Sequence, residues 1–177
     1  MPAISHLEYA LLAILLVASA FDVAVRRIPN RLLLTGLLIA FVLDLTSPHA
    51  WVLLTMYLPG FAVGLLMFLP LYVLRAMAAG DVKLMAMVGA FTGPALVFQI
   101  SLATYCVGGM LALLIVISKG RSRDAFVNVT AVLRPLAMRF MRMPAAVEPM
   151  PLESVGGMPY AVAITLGTMV VLWWRHS

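Results

Sequence analysis

Asp22 and Asp81 are carboxylates set into apolar sequence. Asp22 lies near the end of the first long apolar run, and Asp81 lies at the start of the fourth. A carboxylate beside bilayer hydrocarbon costs about 2.5–3.5 kcal/mol on insertion scales, so an acid kept there is a functional candidate by default. Two carboxylates about 3 Å apart do not both ionise readily, and they share a proton. The ionised one takes a proton from water, and the protonated one polarises a carbonyl. Such a pair hydrolyses a peptide bond with neither a metal nor a nucleophilic side chain. That chemistry requires the chain to bring the two residues together.

The elements that must do so are membrane helices. The 177 residues are 64% hydrophobic and 11% charged, with mean hydropathy +1.07. Soluble domains run nearer 25% charged. Apolar runs predict spans near 7–25, 31–47, 51–74, 82–98, 100–118 and 158–174. At about 20 residues per span, such a chain has room for roughly six crossings and little else. The expected fold is therefore all-α: one polytopic membrane domain over 1–177, with about six transmembrane helices and a long cytoplasmic loop, 119–157, between the fifth and sixth. The break between the fourth and fifth spans is expected at Thr92-Gly93-Pro94 or just after it. Ala18-Ser19-Ala20 resembles a leader cleavage site, but no Lys or Arg precedes it. The first run reads as a retained helix.

Loop charge orients the spans. The first connection holds Arg26, Arg27 and Arg31, and the third holds Arg75 and Lys83. The fifth holds Lys119, Arg121, Arg123, Arg134, Arg139 and Arg142. Of the 12 basic residues only Arg175 falls on the other side. The positive-inside rule then places both termini outside and loops one, three and five in the cytoplasm. Asp22 and Asp81 share the cytoplasmic end, while Asp44 and Glu8 fall at the outer end. The net charge of +5 sits in loops between spans, which argues for a lipid bilayer and against nucleic acid as the partner. Around the segment 124–143, Arg123 just before it and Arg134, Arg139 and Arg142 within it fall in an arc of about 160°. That pattern suits an interfacial helix and, with Pro135 inside it, equally a plain loop.

The same residues admit plainer readings. Asp22 pairs with Arg26 one turn on, or Asp81 simply caps its helix. A proton relay for a small transporter uses intramembrane carboxylates too, and a non-catalytic scaffold that only docks helices needs neither of them. Lys83 either acts on Asp81 or reaches lipid phosphate. Pro29-Asn30 makes a tight turn whether or not the turn serves a site. Gly60, Gly64, Gly89 and Gly93 suit close helix packing. Cys106 is single and lies in an apolar run, and His6, His49 and His176 are scattered. No metal site and no cofactor is expected, and nothing sets an oligomeric state.

Local sequence narrows the choice. Asp22-Val-Ala-Val-Arg26-Arg27-Ile28-Pro29-Asn30 resembles the first aspartate motif of the type IV prepilin peptidases. Ala78-Ala79-Gly80-Asp81-Val82-Lys83-Leu84 resembles their second, Gly-x-Gly-Asp followed by Val-Lys-Leu. Met158-Pro159-Tyr160-Ala161 is similar to the Pro-Tyr-Gly that often opens the family's last helix. Order, spacing and span layout agree over nearly the whole chain. The resemblance implies a GxGD-type membrane aspartyl protease with Asp22 and Asp81 as the catalytic pair, and Pro29, Asn30, Gly80 and Lys83 in support. It implies a prepilin substrate with a basic leader and a hydrophobic helix, cut at the cytoplasmic face of the bacterial inner membrane. Larger members carry a Cys-x-x-Cys insert associated with N-methylation. One cysteine and no such insert make this chain similar to the short form of Flp/Tad pilus systems. Ala78 and Ala161 stand where the family usually has glycine, and a shifted backbone is expected at Ala78.

Overall fold

A computed structural model describes residues 6–45, 53–74, 76–118 and 159–177. The loop 119–157 with its candidate helix 124–143, Arg75, His49 and the acids Asp124, Glu148 and Glu153 lie outside the described residues.

The described residues are helical, with no strand among them. Helix α1 spans His6–Val25 and α2 Asn30–Leu45. A π-helical turn, Leu53–Tyr57, leads into α3, Leu58–Val73. Helix α4 spans Ala79–Ser118 and α5 Tyr160–His176. Among the described residues three stretches are long and apolar enough to cross a membrane: His6–Val25, Leu54–Val73 and Ala79–Ser118. Two compact units are present. One comprises Met1–Gly109 with Pro159–Ser177, and the other Met110–Met158, described only as far as Ser118. All that follows concerns the first unit.

The 40 residues of α4 would run about 60 Å if straight, twice the roughly 30 Å of bilayer hydrocarbon. They are not straight. Gly93 has φ 77° and ψ 172° inside the helix. A positive φ suits glycine, and a Cβ there would lie 3.0 Å from Met56 Sδ. Pro94 follows, and proline is favoured at the first position of a new helix. The two halves run oppositely along α3. Gly89 meets Gly60 and Met85 meets Gly64 on the way in; Tyr105 meets Phe68 on the way out. The chain therefore turns at Gly93, inside the Thr92-Gly93-Pro94 break expected from the sequence and ahead of the 98–100 edge of the apolar runs. Apolar sequence continues on both sides; the glycine's backbone makes the turn.

The first half of α4 is the centre of the bundle. Every residue from Leu84 to Phe91 is buried, as expected for a helix apolar all round. Gly60 and Gly89 let the backbones of α3 and α4 touch, leaving no room for a Cβ on either. Gly36 of α2 receives the Met87 side chain. Large side chains such as Leu16, Leu34, Phe41, Leu66, Val170 and Trp174 cover the exterior. An apolar exterior on an apolar core is what a bilayer solvates.

Helices α1 and α5 pack antiparallel along their length. Ser19 Oγ shares a hydrogen bond with Thr165 Oγ1 at 2.7 Å and donates to the Ala161 carbonyl at 3.2 Å. Thr165 Oγ1 also reaches the Leu15 carbonyl at 3.2 Å. At the far end Glu8 pairs with Arg175 at 3.4 Å and with His176 at 3.2 Å. That pairing accounts for Arg175, the one basic residue out of place in the loop-charge pattern.

Candidate active site at the ends of α1, α4 and α5

Helix α1 stops because the chain turns sharply after Val25. Arg26 takes φ 54°, and its amide closes the last turn on the Asp22 carbonyl at 2.9 Å. The left-handed region costs an L residue roughly 1–2 kcal/mol. Pro29 then opens α2, its carbonyl accepting the amides of Leu32 at 3.0 Å and Leu33 at 3.4 Å. The predicted tight turn at Pro29-Asn30 is present.

This turn grips the segment that carries Asp81. Ile28 packs on Gly80, its Cβ 3.6 Å from where a Gly80 side chain would begin. Lys83 Nζ donates to Asn30 Oδ1 at 3.3 Å. Ile28 and Asn30 flank Pro29 and reach the residues either side of Asp81 and Val82. Lys83 is exposed and bound to Asn30. The spacing of both motifs thus has a structural reason: each supplies half of a clasp between two helix ends.

Asp81 is the third residue of α4 and only 6% exposed. Its amide bonds the Ala78 carbonyl at 3.2 Å, and the Ala78 amide bonds its carboxylate in return. That exchange puts Asp81 inside the first turn rather than at the N-cap, where an acid is also favoured. Ala78 does not have a positive φ, so alanine at this position carries no left-handed strain.

Asp22 is 8% exposed. Its Oδ2 accepts a hydrogen bond from the Ala161 amide at 3.0 Å. Ala161 is the second residue of α5, so the carboxylate sits on free amides at the positive end of a helix dipole. No ion pair joins Asp22 to Arg26 among the described residues. Asp22 and Asp81 lie close enough for the charge of one to act on the other. Their ends of α1 and α4 are the ends held together by the Ile28–Gly80 and Lys83–Asn30 contacts.

The remaining acids are elsewhere. Glu8 and Asp44 are buried, but each is about 21 Å along its helix from the Asp22 end of α1 or the Asn30 end of α2. Among the described residues no group of three His, Cys, Asp or Glu side chains could hold a metal ion.

Two parts of the site were not marked by residue type. One is the Ala161 main chain, whose amide no side-chain motif advertises. The signal open to a reader was Pro159, which ends the approach and starts α5 at Tyr160. The other is the Ser19–Thr165 pair, hydroxyls in apolar runs about one turn from Asp22 and Ala161.

Residues 9–113 match the type IV leader peptidase family. No curated protein and no solved structure matches the chain. The matched stretch is more than half of the sequence and contains both aspartates with their motifs. On that match, this chain belongs to the type IV leader peptidase family.

Proposed function

We propose that this chain is a membrane aspartyl endopeptidase that removes the leader of type IV prepilins, of the Flp type, at the cytoplasmic face of the bacterial inner membrane. The observation that carries the reading is the burial of Asp22 and Asp81 at one end of the bundle, within electrostatic reach of each other. Membership of a leader peptidase family supports the reaction class.

Hydrolysis by such a pair is simple to balance. The water oxygen attacks the carbonyl carbon as the ionised carboxylate takes one water proton. The protonated carboxyl gives its proton to the carbonyl oxygen, forming a gem-diol. Its collapse breaks the C–N bond: the proton held by the first carboxyl goes to the leaving amine, and one gem-diol hydroxyl returns its proton to the second carboxylate, which restores the pair.

Orientation follows from charge. Arg26, Arg27, Arg31 and Lys83 are all exposed around the end that holds the two aspartates. Their positive charge favours the cytoplasmic side. A six-crossing layout is supported by α1, α2, α3, the two halves of α4 and α5, with 119–157 as the cytoplasmic loop. A proton relay to Glu8 or Asp44 would have to cross a core of Leu11, Leu15, Leu84, Met85 and Met87, which disfavours transport.

Mass spectrometry of pilin N-termini from cells with and without this chain tests the assignment. Mature N-termini that appear only with the chain support it. Identical, unprocessed termini in both would remove it.

A further inference from the structure

We propose that Tyr160 is a third catalytic residue, whose phenolic hydroxyl donates a hydrogen bond to the carbonyl oxygen of the bond being cleaved. The inference rests on the peptidase reading above and adds a residue to it.

Tyr160 is the first residue of α5, next to the Ala161 amide that holds Asp22. Its ring is fixed on two sides. It packs edge-on against Phe68 with centroids 6.2 Å apart and planes at 81°. Its hydroxyl lies over Gly108, where a Cβ would be 2.9 Å from the oxygen. Tyr160 is also in electrostatic contact with Asp81 and Tyr105. One helical turn therefore binds Asp22 through the Ala161 amide and carries, on the neighbouring residue, a phenol within electrostatic reach of Asp81.

The two tyrosines differ in what their hydroxyls do. The Tyr105 hydroxyl donates to the Met67 carbonyl, and its ring stacks on Phe68 at 5.1 Å. That is a structural bond. The Tyr160 hydroxyl has no hydrogen-bond partner among the described residues, and the residue is only half-buried. A phenol whose ring is clamped, whose O–H has no acceptor among the described residues and which lies within electrostatic reach of Asp81 is a preorganised donor. Charge develops on the carbonyl oxygen as water adds, and a fixed donor aimed there is worth most in the transition state. The phenol keeps its proton throughout, so the balance of the hydrolysis is unchanged.

The test uses the full chain in liposomes with a purified prepilin, following kcat and KM by mass spectrometry. Tyr160→Phe keeps the ring on Phe68 and removes only the oxygen. The expected result is a fall in kcat of about 10²-fold, the cost of one such donor, with KM near the parent value. Parent kcat, or a rise in KM alone, overturns the inference and leaves the peptidase reading standing. A parent chain that does not cleave takes both down.

Should Tyr160→Phe fail to insert, 3,5-difluorotyrosine at 160 retains ring and hydroxyl but ionises more readily. Asp81 and Tyr105 are in electrostatic contact with Tyr160, and neither is altered. On the plateau of the pH profile kcat is expected to exceed the parent value, because a more acidic phenol donates more strongly. A plateau kcat at or below the parent value overturns the inference.

Discussion

The Ala161 amide donates to Asp22 Oδ2 at 3.0 Å, across 139 residues of sequence. It ties the last helix to the end of the first. A hydrogen bond to a charged group contributes about 1.5–3 kcal/mol. Ala161→Pro removes the N–H at a helix turn where proline is tolerated. Cleavage by Ala161→Pro is expected to fall by roughly 10–100-fold, whereas Ala161→Gly, which keeps the amide, stays near the parent rate. Initial rates on a prepilin substrate compare the two. Equal activity in both variants would mean that the amide does not matter.

Ser19 and Thr165 set the register that makes this bond. Their hydroxyls meet at 2.7 Å between α1 and α5. Interhelical hydrogen bonds in membranes average about 0.6 kcal/mol. Ser19→Ala and Thr165→Val are each expected to lower the unfolding temperature in detergent modestly. The double variant should lose less than the sum, because one hydrogen bond is shared. Full additivity would show that the hydroxyls act separately.

How far sequence reaches this site depends on what each residue contributes. Asp22 and Asp81 were legible because a charge in apolar sequence stands out, and loop arginines assign it a side. Glycines at 60 and 89 were legible as packing positions for the same reason of type. The turn at Gly93 was legible from the Gly-Pro pair at 93–94, whereas hydropathy, continuous through it, set the edges of the apolar runs at 98–100. The role of Ile28 and Asn30 as a clasp on Gly80 and Lys83 could not be read, because it depends on which helix ends meet. The Ala161 amide was invisible for a deeper reason: every residue but proline has one.

Arg26 closes α1 with φ 54°. Glycine adopts that conformation without the steric penalty of a Cβ. Arg26→Gly is expected to raise stability by about 1 kcal/mol and leave cleavage unchanged. Thermal unfolding in detergent, read beside an activity assay, measures both. A destabilised variant would show that the arginine side chain, not the backbone, matters at this turn.

The central claim is that Asp22 and Asp81 together cleave a prepilin leader. The most direct measurement places the purified chain in liposomes with purified prepilin and reads the pilin N-terminus by mass spectrometry. Asp22→Asn and Asp81→Asn preserve side-chain shape and remove one carboxyl each. Leader removal is expected from the parent and from neither variant, all three inserting equally. Leader removal at the parent rate by either variant would contradict the central claim.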